Sequence, residues 1–125
     1  MNTNKAPFRI ATLEAMKSTS VVRIGCVLAR GGRIISSGIN DMKKTHPATK
    51  KFTDHAKTHA EMSACFGLRP YDTAGSDAYV CRVDKLGRWV MAKPCKMCWA
   101  LLKHMKIKRV FYTTNAGEWA KEKIV

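Results

Sequence analysis

Lys93-Pro94-Cys95-Lys96-Met97-Cys98 and, upstream of it, Thr58-His59-Ala60-Glu61 are the two stretches from which the rest of this chain can be read. After the second thiol, apolar residues recur at Trp99, Leu101, Leu102 and Met105, the spacing of one helical face. Proline is favoured early in a helix, so Pro94 opens one that runs over about Cys95–Met105. Three residues apart on that helix, Cys95 and Cys98 share a side and can bind a single ion. Thr58 reads as the cap of another helix, with Glu61 three residues on in a capping-box arrangement and Gly67 and Pro70 ending it near Leu68. Each stretch thus sets metal-binding side chains at a helix start, where the dipole and the unpaired N–H groups favour thiolate over thiol.

Outward from these segments, residues Phe8 to Lys17 keep helical spacing until Ser18, Thr19 and Ser20 break it. Arg23–Ala29 and Arg33–Ile39 are rich in strand-forming residues and are separated by Gly31-Gly32, which predicts a β-hairpin. Residues 40–57 are polar and basic, carry Pro47 and show neither period, so they read as a long functional loop. Asp77–Val83 is a strand, Asp84–Gly87 a turn, and Arg88–Ala92 its continuation or a short partner. Arg109–Thr114 is a further strand, and Trp119–Val125 follows too soon for a crossover helix, which predicts an antiparallel return strand. The order α-β-β-α-β-α-β-β suggests a sheet covered by helices.

His59, Cys95 and Cys98 supply three ligands of the kinds zinc takes, leaving a fourth tetrahedral position for water, whose pKa the metal lowers to about 7. Glu61, two residues past the histidine, can stand near the metal without ligating it and can carry protons from water to a ring nitrogen and a leaving amine. His-x-Glu followed by Pro-Cys-x-x-Cys is the signature of the zinc nucleobase deaminases, and every fixed position is present here. In these residues, and in its element order over nearly the whole length, the chain resembles the cytidine/deoxycytidylate deaminase superfamily. The resemblance implies one α/β domain over residues 1–125 with a three-layer α-β-α cytidine-deaminase-like fold, and a central mixed sheet of about five strands flanked by helices. It also implies Zn²⁺ as cofactor and hydrolytic attack on C4 of cytosine or C6 of adenine. Asn40 matches the asparagine that contacts sugar or base in similar deaminases, and the backbone of Ala60 matches the amide that reads the pyrimidine carbonyl. Lys93 stands before Pro94-Cys95 where those enzymes often carry Glu, Tyr or Ser, and a basic residue there could meet a phosphate. Lys93 and Pro94 join Asn40 and Ala60 as the substrate-binding candidates.

Against this stand plainer readings of single residues. A closed structural zinc site would take a fourth ligand from His55, Cys65 or His104, none of which the spacing places well. Cys65, Cys26 and Cys81 read as small core residues, as Trp99 reads as core. Trp89 and Trp119 could stack a base or cover a sheet edge. Lys43, Lys44, Lys50 and Lys51, with His46, could rim the active site for phosphate or be solvated loop charge. Lys103, Lys106, Lys108 and Arg109 fall at the far helix end and suit solubility, an oligomer contact or polyanion attraction.

The chain has 125 residues, and its 23 Lys and Arg against nine Asp and Glu give a net charge of +14, so an anionic partner is expected. Its length suits one domain with one core, to which homo-oligomerisation would add buried surface. No apolar run reaches the roughly 20 residues of a membrane span and the first residues lack a signal-peptide core, so a cytoplasmic protein is expected, without membrane partners. Five cysteines in a reducing compartment point to metal or redox chemistry sooner than to disulfides. The substrate expected is a free cytosine-type nucleoside or nucleotide, cytidylate or deoxycytidylate above all given the charge. Cytosine or adenine in single-stranded DNA or RNA is the alternative, and a non-catalytic zinc or nucleic-acid-binding module the alternative of another class.

Overall fold

The structure is a computed structural model and describes residues 6–40 and 58–124. Gly31 and Gly32 take φ of 58° and 80°, the left-handed pair that a two-residue hairpin turn requires. They fold strand β1 (Arg23–Arg30) antiparallel onto β2 (Arg33–Ile39). Ahead of the hairpin lies helix α1 (Ala6–Lys17), and after it come α2 (Ala60–Cys65) and a short α3 (Pro70–Thr73). Strand β3 (Asp77–Val83), the two-residue β4 (Trp89–Val90), helix α4 (Lys96–His104), β5 (Arg109–Thr113) and β6 (Trp119–Lys123) complete the chain. The six strands form one sheet in the order β2-β1-β3-β5-β6, with β4 paired to the last residues of β3. The β3–β5 pair is parallel and the other pairs are antiparallel, so the sheet is mixed.

Period-two alternation divides each central strand between two cores. Cys26, Leu28, Ala78, Val80, Val110 and Tyr112 face α2 and α4. Val27, Ala29, Tyr79, Cys81, Val83 and Phe111 face α1. Three layers result, helix on sheet on helix. Two glycines set how closely the layers meet: a Cβ on Gly25 would lie 2.3 Å from the Ala11 carbonyl oxygen of α1, and one on Gly38 2.4 Å from the Ala64 backbone nitrogen of α2. Ser36 Oγ adds a 2.6 Å hydrogen bond to the Ala64 carbonyl.

The observed boundaries differ from expectation in three places. Thr58 is buried but does not cap α2: His59 is the N-cap residue, with no side-chain capping bond, so the capping-box reading is corrected. The same helix stops at Cys65 instead of Leu68, because Phe66 is already extended, with ψ 132°, and Gly67 has φ 79°, which frees Pro70 to begin α3. Helix α4 starts at Lys96 with Cys95 as its N-cap, so Pro94 lies one residue outside the helix rather than in its first turn. Arg88–Ala92 supplies the short partner strand β4, and β6 is the antiparallel return strand. Trp89 and Trp119 both pack on Phe8, with ring centroids 5.3 and 6.0 Å away, and Trp89 Nε1 donates to Thr12 Oγ1 at 3.0 Å. They cover the sheet beside α1. Among the described residues no helix is long and apolar enough to cross a membrane.

Candidate metal centre and its acid

Two helix starts and one strand converge on the metal-binding residues. Gly38 lies under Ala60 and Ala64, and Ser36 under Ala64, so α2 runs down β2 with its N-terminus toward the Ile39 end of the sheet. Helix α4 leads into β5, which starts opposite Asp77, and so its N-terminus also points to the Val83 end of β3. His59 at the N-cap of α2 therefore meets Cys95 and Cys98 at the start of α4.

The ligand atoms of His59, Cys95 and Cys98 all lie within 4.8 Å of one another. His59 Nδ1 is 3.8 Å from Cys95 Sγ and 3.4 Å from Cys98 Sγ. On a tetrahedral zinc, with Zn–N about 2.0–2.1 Å and Zn–S about 2.3 Å, a ligand nitrogen and sulfur stand about 3.6 Å apart. The donor triangle is thus the size that zinc requires. Burial, with the charges of Glu61 and Cys95 adding to it, pushes the Cys98 thiol far above its ordinary pKa. A bound cation would favour the thiolate of Cys98 that burial disfavours.

Glu61 is buried in the first turn of α2, 4% exposed. Burial raises its pKa above the ordinary carboxyl value, opposed by hydrogen bonds from its own backbone N–H and from the Cys98 side chain. A carboxyl that holds its proton more tightly than usual, touching a metal-ligand sulfur, is suited to pass protons at that spot.

The sequence comparison agrees with this donor set: the family model of the cytidine and deoxycytidylate deaminase zinc-binding region matches residues 1–114. The chain belongs to that family. The family's zinc finds its ligand set here in His59, Cys95 and Cys98. The tRNA-specific adenosine deaminase 2 of Xenopus laevis is 28% identical over 91 residues, which are 73% of this chain and 47% of that protein. The chain therefore spans about half the length of the curated relative it matches. A cytidine deaminase structure from Burkholderia pseudomallei superposes with a TM-score of 0.67 at 19% identity, covering 98% of this chain and 94% of that one. The dCMP deaminase of cyanophage S-TIM5 in apo form gives 0.61 at 19% identity, covering 90% and 84%. At such identities the likeness is one of fold.

Around the centre of this deaminase domain, the other candidates are placed as follows. Cys26, Cys65 and Cys81 are buried, and burial pushes Cys65 up to about 12 and Cys81 to about 11. His104 lies with Met62, Cys65 and Leu101 at a cavity of about 300 Å³ by the C-terminal end of α4, away from the ligand triangle. His55, His46, Lys43, Lys44, Lys50 and Lys51 lie outside the described residues. Trp99 is half-buried against the core, with the Lys93 ammonium 5.7 Å from its ring centroid. Pro94 is buried beside Cys95.

Asn40 and Lys93 are engaged within the chain. Asn40 is 3% exposed; its Oδ1 accepts the Ile24 N–H at 2.9 Å and its Nδ2 donates to the Val22 carbonyl at 2.6 Å. Lys93 Nζ stands 3.0 Å from Glu122 Oε2, which also accepts the Tyr112 hydroxyl at 2.7 Å. Arg109, from the distal basic run, is held by Asp77 through two 2.9 Å bonds. Glu122 was not among the sequence candidates. Alternation within β6 puts it on the same face as Ala120, but its partners are Tyr112, which the β5–β6 pairing brings to it, and Lys93, in the connection between β4 and α4.

Proposed function

We propose that this chain catalyses hydrolytic deamination of a cytosine-type nucleotide, with cytidylate or deoxycytidylate as the leading substrate. The observation that carries the reading is the placement of Glu61, a buried carboxyl in the first turn of α2 that hydrogen-bonds Cys98 beside a triangle of zinc-type donors. His59, Cys95 and Cys98 would hold the zinc, which when bound supplies the Lewis acidity that makes hydroxide available from water near neutral pH. Glu61 takes a proton from the attacking water onto its carboxylate and returns it to the ring nitrogen. It then assists transfer of a proton to the exocyclic amine, which leaves as ammonia. Across the reaction one C–N bond breaks, one C–O bond forms, and the cytosine ring becomes uracil.

The backbone N–H of Ala60 is one of the first-turn donors of α2 that a helix leaves without an internal partner, which suits it to the pyrimidine carbonyl. Pro94 would border the base. Contacts from Asn40 and Lys93 would require them to exchange Val22, Ile24 and Glu122 for substrate. The net charge of +14 favours a phosphorylated substrate over a neutral nucleoside.

A second reading, deamination of adenine or cytosine within RNA or DNA, draws on the same charge and on the 28% identity to a tRNA-specific adenosine deaminase. Ammonia release decides between them, measured on cytidine, deoxycytidine, their monophosphates, adenosine, and single-stranded DNA and RNA. Turnover of a free cytidine nucleotide is the expected result. Turnover of polymers alone would replace it with the second reading, and silence on every substrate by zinc-loaded protein would leave a non-catalytic binding module.

A further inference from the structure

Arg82 carries a charge that neither the fold nor the proton chemistry uses. On β3, Ala78 and Val80 join the core under α2 and α4, whereas Tyr79, Cys81 and Val83 face α1. By the same alternation Arg82 lies on the side of the metal centre. The register sets Cys26 opposite Val80 and Ile24 opposite Arg82, so Arg82 is about 7 Å farther along the strand than the level of Cys26. Cys26 sits close enough to Glu61 and Cys98 to share their electrostatic field. The extra step leads toward the end of the sheet at which α2 and α4 begin. Arg82 therefore lies on the metal-centre face of the sheet, at the end where α2 and α4 begin.

At that end, reached by both Arg82 and Val83 from the two faces of β3, is a cavity of about 320 Å³ lined also by Lys85, Asp84, Val90, Asn115 and Val21. Its one carboxylate is engaged: Asp84 Oδ1 accepts the Leu86 and Arg88 N–H groups, and Oδ2 accepts Arg88 Nε at 2.8 Å. Asn115 Oδ1 accepts the Met91 N–H at 2.8 Å, which leaves the Nδ2 donors to point elsewhere. Arg82 is half-buried, and among the described residues its guanidinium has neither an ion pair nor a hydrogen bond. Lys93 and Arg109, by contrast, are each held by a carboxylate. A half-buried guanidinium, an ammonium and an amide donor around one cleft make a receptor for an oxyanion, which the planar fork of arginine grips through two bonds.

We propose that Arg82, with Lys85 and Asn115, binds the phosphate monoester of the nucleotide while its base is held at Glu61; the proposal rests on the cytidylate reading above. A nucleotide's phosphate is separated from its base by the sugar, and the cleft of Arg82, Lys85 and Asn115 lies at the end of the sheet where α2 and α4 begin, with none of the three metal ligands in its lining.

The test uses zinc-loaded full chain, wild type against Arg82→Gln and Arg82→Lys, with two readouts. In the first, the ratio of kcat/KM for dCMP to that for deoxycytidine falls about ten- to a hundredfold in Arg82→Gln and recovers in part in Arg82→Lys, as expected for loss of a charged hydrogen-bonded contact. An equal loss on both substrates, the mark of a merely structural role, overturns the proposal. In the second, calorimetry compares dUMP with deoxyuridine, which needs no turnover. The wild type binds dUMP more tightly and Arg82→Gln erases the advantage; an advantage that is absent, or that survives the substitution, overturns the subsite. Protein that binds dUMP through Arg82 yet deaminates no mononucleotide would keep the subsite and overturn the cytidylate reading. Loss of oligonucleotide affinity in Arg82→Gln, with no preference for dUMP in the wild type, would overturn the monoester and assign the cleft to a polymer backbone.

Discussion

Glu61 holds its carboxyl where a free carboxylate is costly, inside the protein and against a sulfur, and its spacing from His59 was visible in four letters of sequence. Glu61→Gln keeps the shape and removes the exchangeable proton. It should retain stoichiometric zinc by metal analysis and lower kcat by at least a hundredfold; normal turnover would end the proton-carrier assignment. What four letters could not show was the burial that raises the pKa, because burial comes from β1 and α4, distant in sequence. Asn40 shows the same limit from the other side. Its type and position suggest a ligand contact, whereas its side chain joins Val22 to Ile24 at the entrance to β1. Asn40→Ala leaves a backbone donor and acceptor without these partners and should cost about 1–3 kcal/mol in urea melts with zinc held constant. A loss of activity with unchanged stability would instead point to the substrate.

The elements were legible where their signals are local. The Gly31-Gly32 turn, the apolar face of α4 and the spacing that implies an antiparallel β6 each need only near neighbours in sequence. Helix ends were less so. Thr58 and Pro94 have the residue types of an N-cap and a first turn, yet the caps are His59 and Cys95, two of the three residues that also offer ligand atoms. Capping preference is worth about 1 kcal/mol, and tertiary contacts outweigh it. Gly38 is a quieter case, because nothing local marks it as the floor for α2. Adding a Cβ there drives it to 2.4 Å from the Ala64 nitrogen, so Gly38→Ala must displace the helix that carries Glu61. The expected cost is about 1–3 kcal/mol, with weakened zinc retention against a chelator. Unchanged melting and unchanged retention would show that α2 is not seated as described.

Across the whole molecule the metal and the pH both act on stability. Zinc binds a triangle that the unfolded chain lacks, so at a free concentration a hundred times its dissociation constant it should raise the thermal midpoint by roughly 10 °C over chelator-treated protein. Coincident melts would mean that the triangle does not hold metal. Cys65 and Cys81 are neutral thiols whose pKa values are raised by burial from 9.0 to about 12 and about 11. The folded state therefore keeps these protons where the unfolded state releases them. That stability is complete below pH 9 and is lost as pH rises toward 11–12. Urea midpoints should hold to about pH 9 and decline above it, and iodoacetamide should leave both thiols unmodified in native protein at pH 8. Rapid labelling there would contradict their burial. By itself the sequence determined the zinc-type ligand set and the order of the elements apart from the short α3, because metal chemistry and hairpin and helix patterns are written in residue type and short spacing. The tertiary structure alone decided that Trp89 and Trp119 cover the sheet beside α1, that Glu122 holds Lys93, and that Arg82 shares a cleft with Lys85 and Asn115. Each of those outcomes depends on strand register and layer packing, which join residues far apart in the chain and leave no mark within any one segment.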